Sequence, residues 1–471
     1  MRLGALTGGD EAALVTGFAI DHRKVAPGTV FGAFRGMRLN GEDYIADAVR
    51  SGAIAVVAAP GAQVAGAVHI ADETPRERFA RLAARFFAPF PATAVAVTGT
   101  NGKTSTVEMT RQLWRMAGFH AASIGTLGVT TADERTTTGL TTPDVVTFLS
   151  NVAGLAREGV THLAFEASSH GLTQYRTEGL NVSAAAFTNL TRDHLDYHGD
   201  MGAYLTAKLR LFSEVLAPDG TAVVWADDPA SARVVDLARA RGNRLVTVGT
   251  HGHTIRLLDR DPTLLGQGLT IEAEGAVHHV TLPLIGGYQA ANALVAAGLV
   301  IATGGNPRDT LAALARLQPV RGRLERATIA RSGAPVYVDY AHTPDALEAA
   351  IAALKPHAGG RLIVVFGAGG DRDAGKRGVM GQVAVTQADL VIVTDDNPRT
   401  EAPAAIRRQI LDGAPGAREI GDRRDAIAAA IGEARGTDIV LIAGKGHEQG
   451  QIVGDMVLPF DDVGVVRECA A

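Results

Sequence analysis

Ala94-Val-Ala-Val-Thr-Gly-Thr-Asn-Gly-Lys-Thr-Ser105 decides how this chain is read. Its apolar run ends at Gly99, and a helical pattern begins at Lys103. A strand, a glycine turn and a helix N-terminus in that order bind phosphate, because the N–H groups at the helix start have no partner within the helix. Gly99 and Gly102 let the backbone approach an anion without a Cβ in the way. Lys103 can neutralise a β- or γ-phosphate, and the Thr104 hydroxyl can ligate Mg²⁺. A strict P-loop has another glycine five residues before the second one. Val97 stands there, so this is a shortened loop, Gly-x-x-Gly-Lys-Thr. The competing reading is a plain glycine turn with a surface lysine.

Outward from the loop, the helix is expected over 103–117, with Met109, Leu113 and Met116 on one face and a stop before Gly118. Before it, residues 1–88 read as a small α/β unit with strands at 30–34, 53–58 and 67–70 and a helix over 76–87. Pro89 and Pro91 mark a linker. After it, apolar strands recur at 161–165 and 184–188. The pattern over 221–285 reads as an antiparallel insertion of short alternating runs such as 269–272 and 279–282. Helices at 288–303 and 308–317 close a central domain, 89–319. From Pro319 to Gly322 a second boundary opens a C-terminal domain, 320–471. Its strands at 336–339, 362–366, 390–394 and 439–443 alternate with helices, the signature of a doubly wound, Rossmann-like sheet. Three α/β domains suit a chain of 471 residues.

Bulk properties narrow the function. A net charge of −5 argues against nucleic acid as the main partner. The single cysteine, Cys469, permits neither a disulfide framework nor a cysteine metal site. Asp10 and Glu11 stand where a signal peptide would be apolar. The charge-free runs 51–71 and 282–307 are interrupted by glycines, Pro60, Gln289 and Asn292, and read as core, not as membrane spans. A cytoplasmic, monomeric enzyme is expected.

Several strand ends carry groups able to do chemistry. Glu166 closes an apolar strand; a Mg²⁺ ligand and a solvent-facing carboxylate both fit. Asp193-His194-Leu-Asp196-Tyr-His198 places metal-competent groups after another strand. On a helix starting at Met201, Tyr204, Leu205, Leu209, Phe212, Val215 and Leu216 share an apolar arc, and Lys208 falls near its middle. Burial would favour the neutral amine, which can react with CO₂ to give a carbamate; a snorkelling lysine fits the same geometry. In the last third, Asp339-Tyr-Ala-His342, Gly369-Gly-Asp-Arg372, Asp396-Asn-Pro-Arg399 and Gly444-Lys-Gly-His-Glu448 each follow a strand. Arginines that clamp carboxylates beside acids that hold ammoniums suit an amino acid.

Together these motifs resemble the Mur ligases, ATP-dependent amide-bond formers of peptidoglycan precursor synthesis. The resemblance spans nearly the whole chain. It rests on Gly99-Thr-Asn-Gly-Lys-Thr104, Glu166-Ala-Ser-Ser-His-Gly-Leu172, Thr188-Asn-Leu190, Asp193-His-Leu-Asp-Tyr-His-Gly199, Ala207-Lys208, Asn292-Ala-Leu294, Gly322-Arg-Leu-Glu325, Asp339-Tyr-Ala-His-Thr-Pro-Asp-Ala-Leu347, Gly369-Gly-Asp-Arg-Asp373 and Gly444-Lys-Gly-His-Glu448. Asp396-Asn-Pro-Arg399 resembles the signature of members that add meso-2,6-diaminopimelate to UDP-N-acetylmuramoyl-L-alanyl-D-glutamate; lysine-adding relatives differ there.

The resemblance implies roles. Gly99, Thr100, Asn101, Gly102, Lys103, Thr104 and Ser105 would hold ATP phosphates. Asn292, Arg323, Asp339 and His342 would place the nucleotide, in the cleft between the central and C-terminal domains. Thr104, Glu166, His194 and Lys208 as N6-carboxylysine would hold Mg²⁺, two ions being expected. Thr141, Thr142, Ser168, Gln174 and Arg176 would surround the muramoyl-dipeptide. Ile20, His22 and the stretch 37–39 would meet the uridine nucleotide. Arg372, Asp396, Asn397, Pro398, Arg399, Gly444 and Glu448 would bind diaminopimelate. Catalysis would rest on Lys103, Glu166, His194 and Lys208, through an acyl phosphate on the D-glutamyl carboxylate shielded from water by domain closure. Two positions depart from the pattern: His22, where relatives show Ser, and Trp225, where they show Asn. Competing readings are a folylpolyglutamate synthase-like ligase, which would lack a full uridine-binding N-terminal domain, a lysine-adding relative, and a nucleotide switch. A guanine switch would want an Asn-Lys pair, and this chain has none.

Overall fold

The computed structural model describes residues 1–36, 39–131, 135–136 and 141–470. Met37 and Arg38, two of the three residues of the expected uridine-contacting stretch 37–39, lie outside the described residues. Two compact units emerge: residues 1–255 with 295–310, and residues 256–294 with 311–471.

The first unit opens with a four-stranded parallel sheet in the order Gly17–Ala19, Thr29–Gly32, Ala53–Ala58, Val68–Ala71. The helix Pro75–Phe87 buries Phe79, Ala80 and Leu82–Ala84 below it and starts, as a helix tolerates, with proline in its first turn. These residues belong to one continuous core with Val145, Phe148 and Leu149 of the helix Val145–Arg157.

The larger sheet of this unit runs Arg244–Gly249, Leu216–Trp225, Val182–Phe187, Thr93–Thr98, His162–Glu166, Ala121–Gly125, Gly128–Thr130, Arg135–Thr136. The first six strands are parallel, and the last two turn back antiparallel. Val95, Ala96, Val97, Leu163, Ala164 and Phe165 are all buried, as strands covered on both faces must be. The parallel run delivers Thr98, Glu166, Phe187 and Trp225 to one carboxyl edge, where open α/β sheets bind ligands.

One expectation needs correcting. Residues 221–249 are not antiparallel: Leu216–Trp225 and Arg244–Gly249 pair in parallel across the helix Ser231–Arg241. Ala222, Val223, Val224 and Val248 are buried, so this is a further β-α-β unit of the same sheet. The antiparallel meander begins later, within the second unit, where Gly266–Ala273 pairs antiparallel with Ala276–Leu282. Alternating burial along Gly266–Ala273 shows a sheet with one wet face.

The second unit is built on a six-stranded sheet ordered Glu325–Ile329, Pro335–Asp339, Ile439–Ala443, Leu362–Phe366, Leu390–Val393, Arg418–Glu419. The first pair is antiparallel and the rest parallel. Separate apolar clusters cover its two faces, one around Leu347, Phe366 and Met380, the other around Ile363, Ile427 and Val466. The helices expected at 288–303 and 308–317 are Gly287–Ala302 and Pro307–Ala313, the latter extended by a 3₁₀ turn, Leu314–Arg316. Among the described residues, no helix is long and apolar enough to cross a membrane.

Candidate active site

In the first unit, Thr93–Thr98 ends directly in the glycine loop, and Lys103–Met116 starts directly after it. Gly99 has φ 145° and Gly102 φ 86°, values that side chains with a Cβ rarely adopt. The neighbouring strand end pins the loop. Thr188 Oγ1 donates to the Asn101 carbonyl at 2.6 Å, the Asn189 side chain accepts from Asn101 N at 2.9 Å, and Thr100 N donates to the Asn189 carbonyl at 2.9 Å. Lys103 Nζ donates to the carbonyls of Gly99 and Thr100 at 3.0 and 2.7 Å.

Lys208 is buried, 1 % exposed. Its Nζ donates to the Gly99 carbonyl at 2.7 Å and lies 4.2 Å from the centre of the Tyr204 ring. Burial, reinforced by the Lys103 ammonium, pushes its pKa far below that of an ordinary lysine, against a smaller opposing pull from Asp193. The snorkelling alternative is thereby excluded. Tyr204, whose OH reaches Thr100 Oγ1 at 3.3 Å, is itself pushed up to about 12 by burial.

Glu166 is buried as well. Its carboxylate accepts from the Thr126 N–H at 2.7 Å and the Thr126 hydroxyl at 3.3 Å, so it is not a solvent-facing loop acid. From it a polar chain runs through the expected dipeptide residues. Thr126 Oγ1 meets Thr141 Oγ1 at 3.0 Å, Thr142 Oγ1 donates to the Glu166 carbonyl at 2.9 Å and meets Ser168 Oγ at 3.0 Å, and Arg176 Nη1 donates to the Thr142 carbonyl at 2.7 Å. Arg176 also holds Gln174 Oε1, and Gln174 reaches the Tyr197 hydroxyl at 3.3 Å. Desolvation lowers the Arg176 pKa.

His194 sits at φ 53° ahead of the short helix Leu195–His198. Its ring is 5.0 Å from that of His170, and its Nε2 is 3.4 Å from Asp193. Among the described residues, no three His, Cys, Asp or Glu side chains are disposed to hold a metal ion. Glu166 and Thr104 offer the hard oxygens Mg²⁺ prefers, whereas Lys208 fits such a set only once its amine has become an anion. Elsewhere in this unit, Ile20 is exposed and His22 stacks on Tyr44 with ring centres 4.4 Å apart. Trp225 ends its strand opposite Val248, and its carbonyl accepts from Ser231; nothing in the structure explains the indole.

In the second unit, Asp339 is buried and accepts from Leu324 N at 2.7 Å and Ala341 N at 2.8 Å; desolvation raises its pKa. Arg323 lies over Tyr340, whose ring also meets His342 and His447. Gln289 joins Asn292 to the Arg323 carbonyl. These four expected nucleotide residues therefore form one cluster. Desolvation holds the His342 pKa below that of an ordinary histidine.

The expected amino-acid residues also meet. Asn397 donates to Glu448 at 2.8 Å and accepts from the fully buried Lys445 at 3.0 Å. Asp396 sits so close under Gly444 that a Cβ there would lie 2.5 Å from its carboxylate. Arg399, at φ 52°, donates through Nη1 to the Gly370 carbonyl at 2.7 Å, and the Pro398 carbonyl accepts from Glu401 N. Arg372 is exposed on the adjoining loop.

Residues the motifs did not single out complete both clusters: Thr126 under Glu166, Tyr204 under Lys208, and Lys445 between Asn397 and Glu448. Lys445 lay within a quoted glycine motif, and Tyr204 lay on the same helical arc as Lys208. Thr126 carried no signal.

Residues 97–300 match the Mur ligase middle domain, and residues 322–446 the Mur ligase glutamate ligase domain. A UDP-N-acetylmuramoyl-L-alanyl-D-glutamate–2,6-diaminopimelate ligase of Zymomonas mobilis is 60 % identical over 96 % of this chain and 94 % of its own length. One of the same name from Bradyrhizobium diazoefficiens is 52 % identical over 98 % and 97 %. A solved structure bearing that enzyme's name superposes with a TM-score of 0.76 at 33 % identity, covering all of this chain and 98 % of its own. A folylpolyglutamate synthase of Mycobacterium tuberculosis complexed with ADP shares the fold at 21 % identity, TM-score 0.64, over 79 % of this chain and 91 % of its own.

Proposed function

The chain belongs to the Mur ligase family, and from that premise we propose that it joins 2,6-diaminopimelate to UDP-N-acetylmuramoyl-L-alanyl-D-glutamate at the expense of ATP. The observation that carries the reading is Lys208: a lysine driven towards its neutral form and bonded to the Gly99 carbonyl of a phosphate-binding loop. The choice of amino acid is supported by the Asp396–Arg399 turn and by the names of the full-length relatives.

The D-glutamyl carboxylate takes the γ-phosphoryl group of ATP, giving an acyl phosphate and ADP. The unprotonated amine of diaminopimelate then attacks the acyl carbon, and phosphate leaves. Lys103 turns from the Gly99 and Thr100 carbonyls to the phosphates, while the backbone N–H groups of residues 99–105 cradle them. Arg176, with Gln174, Ser168, Thr141 and Thr142, orients the dipeptide. Thr104, Glu166, His194 and Lys208 as a carbamate would hold Mg²⁺, two ions being expected, which would supply positive charge where one anion approaches another. Arg323, Asp339, His342 and Asn292 seat the nucleotide. Arg399 and Arg372 take the distal carboxylate of diaminopimelate, and Asp396 and Glu448 take its ammonium. The functional division is 1–88 for the uridine nucleotide, 89–319 for ATP and 320–471 for the amino acid.

Phosphate release from ATP tests this directly. It should require both the muramoyl-dipeptide nucleotide and diaminopimelate. Release that is indifferent to the pair would mark a nucleotide switch, and release with a folate in place of the uridine nucleotide would mark a polyglutamate ligase.

A further inference from the structure

Two loops carry the arginines assigned to the amino acid: 367–373 with Arg372, and 396–401 with Arg399. Neither loop is regular structure, and Arg399 and Asp371 both sit at positive φ, 52° and 54°. The second loop is tied on one side to residues 451–454, where Arg399 N donates to the Ile452 carbonyl and Gly454 N to the Arg399 carbonyl. On the other side Arg377, in the first turn of the helix Lys376–Gln387, ties it to the first loop. Arg377 is only 1 % exposed, although it is a full cation. Its guanidinium meets Glu401 through two bonds, Nη1 to Oε2 and Nη2 to Oε1, each 2.8 Å. Nη1 also donates to Gln409 Oε1 at 2.7 Å, and Nη2 to the Gly369 carbonyl at 3.1 Å.

Glu401 passes the constraint on. Its Oε1 also accepts from Asp371 N at 2.6 Å, and these bonds hold its carboxyl down to about 2. Asp371 in turn accepts from Thr400 N and Thr400 Oγ1 at 3.1 and 2.7 Å. Gly370 N donates to the Asn397 carbonyl at 2.9 Å. Arg399 Nη1 rests on the carbonyl of that same Gly370. Arg377 therefore grips the first loop at Gly369 and, through Glu401, the end of the second.

We propose that Arg377 is a positioning residue for the amino-acid substrate, fixing through Glu401 and Gly369 the loop pair that presents Arg372 and Arg399. This rests on the assignment of diaminopimelate to those arginines. Arg377 does not touch substrate. A buried, bidentate guanidinium cannot be replaced by lysine, whose point charge makes no fork. A small loosening of such a shell is costly, because a clamp must meet its carboxylate in a narrow geometry.

The test is steady-state kinetics on Arg377→Lys, Glu401→Gln, Arg399→Ala and the double variant Arg377→Lys/Arg399→Ala, with melting temperatures alongside. Arg377→Lys and Glu401→Gln should each raise the diaminopimelate KM about tenfold or more and leave the KM values for ATP and the muramoyl-dipeptide within about twofold. The double variant should be less than additive for diaminopimelate, the Arg377→Lys change costing less in the absence of the Arg399 side chain than in its presence, because only the Arg372 contact is then left to position. An unchanged diaminopimelate KM in Arg377→Lys and Glu401→Gln, with a raised one in Arg399→Ala, overturns the inference and leaves the substrate assignment standing. An unchanged value in all four overturns both. Equal loss for all three substrates with a lowered melting temperature also overturns it, because Arg377 would then serve folding alone.

Discussion

Lys208 places an amine where an ammonium is poorly tolerated. It has one strong acceptor, the Gly99 carbonyl, one ring face and the Lys103 cation near it. A neutral amine of that kind adds to CO₂, forming an N–C bond, releasing a proton and leaving a carbamate anion. Lys208→Ala should lower kcat on the order of 10²-fold or more, the scale of losing one electrostatic group of a transition state. Short-chain carboxylates added to that variant should restore part of the loss; wild-type-like activity in the variant would refute the role. The same burial has a pH signature in the unmodified protein. The pKa is lowered on folding, so the unfolded chain binds more protons between the depressed value and the ordinary 10.5. Stability should then rise with pH across that window, by at most about 1.4 kcal/mol per pH unit from this group. Lys208→Met should flatten the rise, as read by chemical denaturation at several pH values under CO₂-free conditions.

At the scale of elements, the glycine loop has its backbone shaped by its own glycines and by the neighbouring strand end. A Cβ on Gly99 would overlap Thr188 Oγ1 and come within 3.1 Å of Asn189 N, at a φ of 145° that alanine resists. Gly99→Ala should therefore raise the ATP KM at least about tenfold while leaving the diaminopimelate KM close to wild type, since the change disturbs the glycine loop and the strand end and Lys208 that contact it, and none of the residues proposed for the amino acid. Equal effects on both would contradict this. The elements around the loop were legible in sequence because buried parallel strands are unbroken apolar runs ending in glycine or polar turns, and 93–98, 362–366 and 439–443 all read that way. The β-α-β unit at 216–249 is masked in sequence by the alternating runs that follow it, 269–272 and 279–282, which belong to the antiparallel pair and not to the parallel sheet. Lys208 was legible by helical phase, though not its partner. Thr126 and Arg377 were not legible, because their roles depend on loops distant in sequence that only the fold brings to them.

At the scale of the molecule, the question is which amino acid a ligase of this family selects. Meso-diaminopimelate differs from L-lysine by a carboxylate on the distal carbon. Arg399 has one nitrogen on the Gly370 carbonyl, and the remaining edge of its fork can take that carboxylate in two parallel bonds. Asp396 and Asn397 are buried beside it, the latter braced by Lys445 and Glu448. Lysine would leave the clamp unfilled and its cation facing a bare methylene. A site built for a polar group rejects an analogue that lacks it far more strongly than an apolar pocket rejects a missing methylene. The ratio of kcat/KM for meso-diaminopimelate over L-lysine should therefore be on the order of 10³ or more, and should collapse towards unity in Arg399→Ala, mainly through loss on the diaminopimelate side. The measurement is amide formation with each amine at fixed ATP and muramoyl-dipeptide. Equal turnover of the two amines by the wild-type protein would place it with the lysine-adding ligases, and a ratio unmoved by Arg399→Ala would place the discrimination at some other residue.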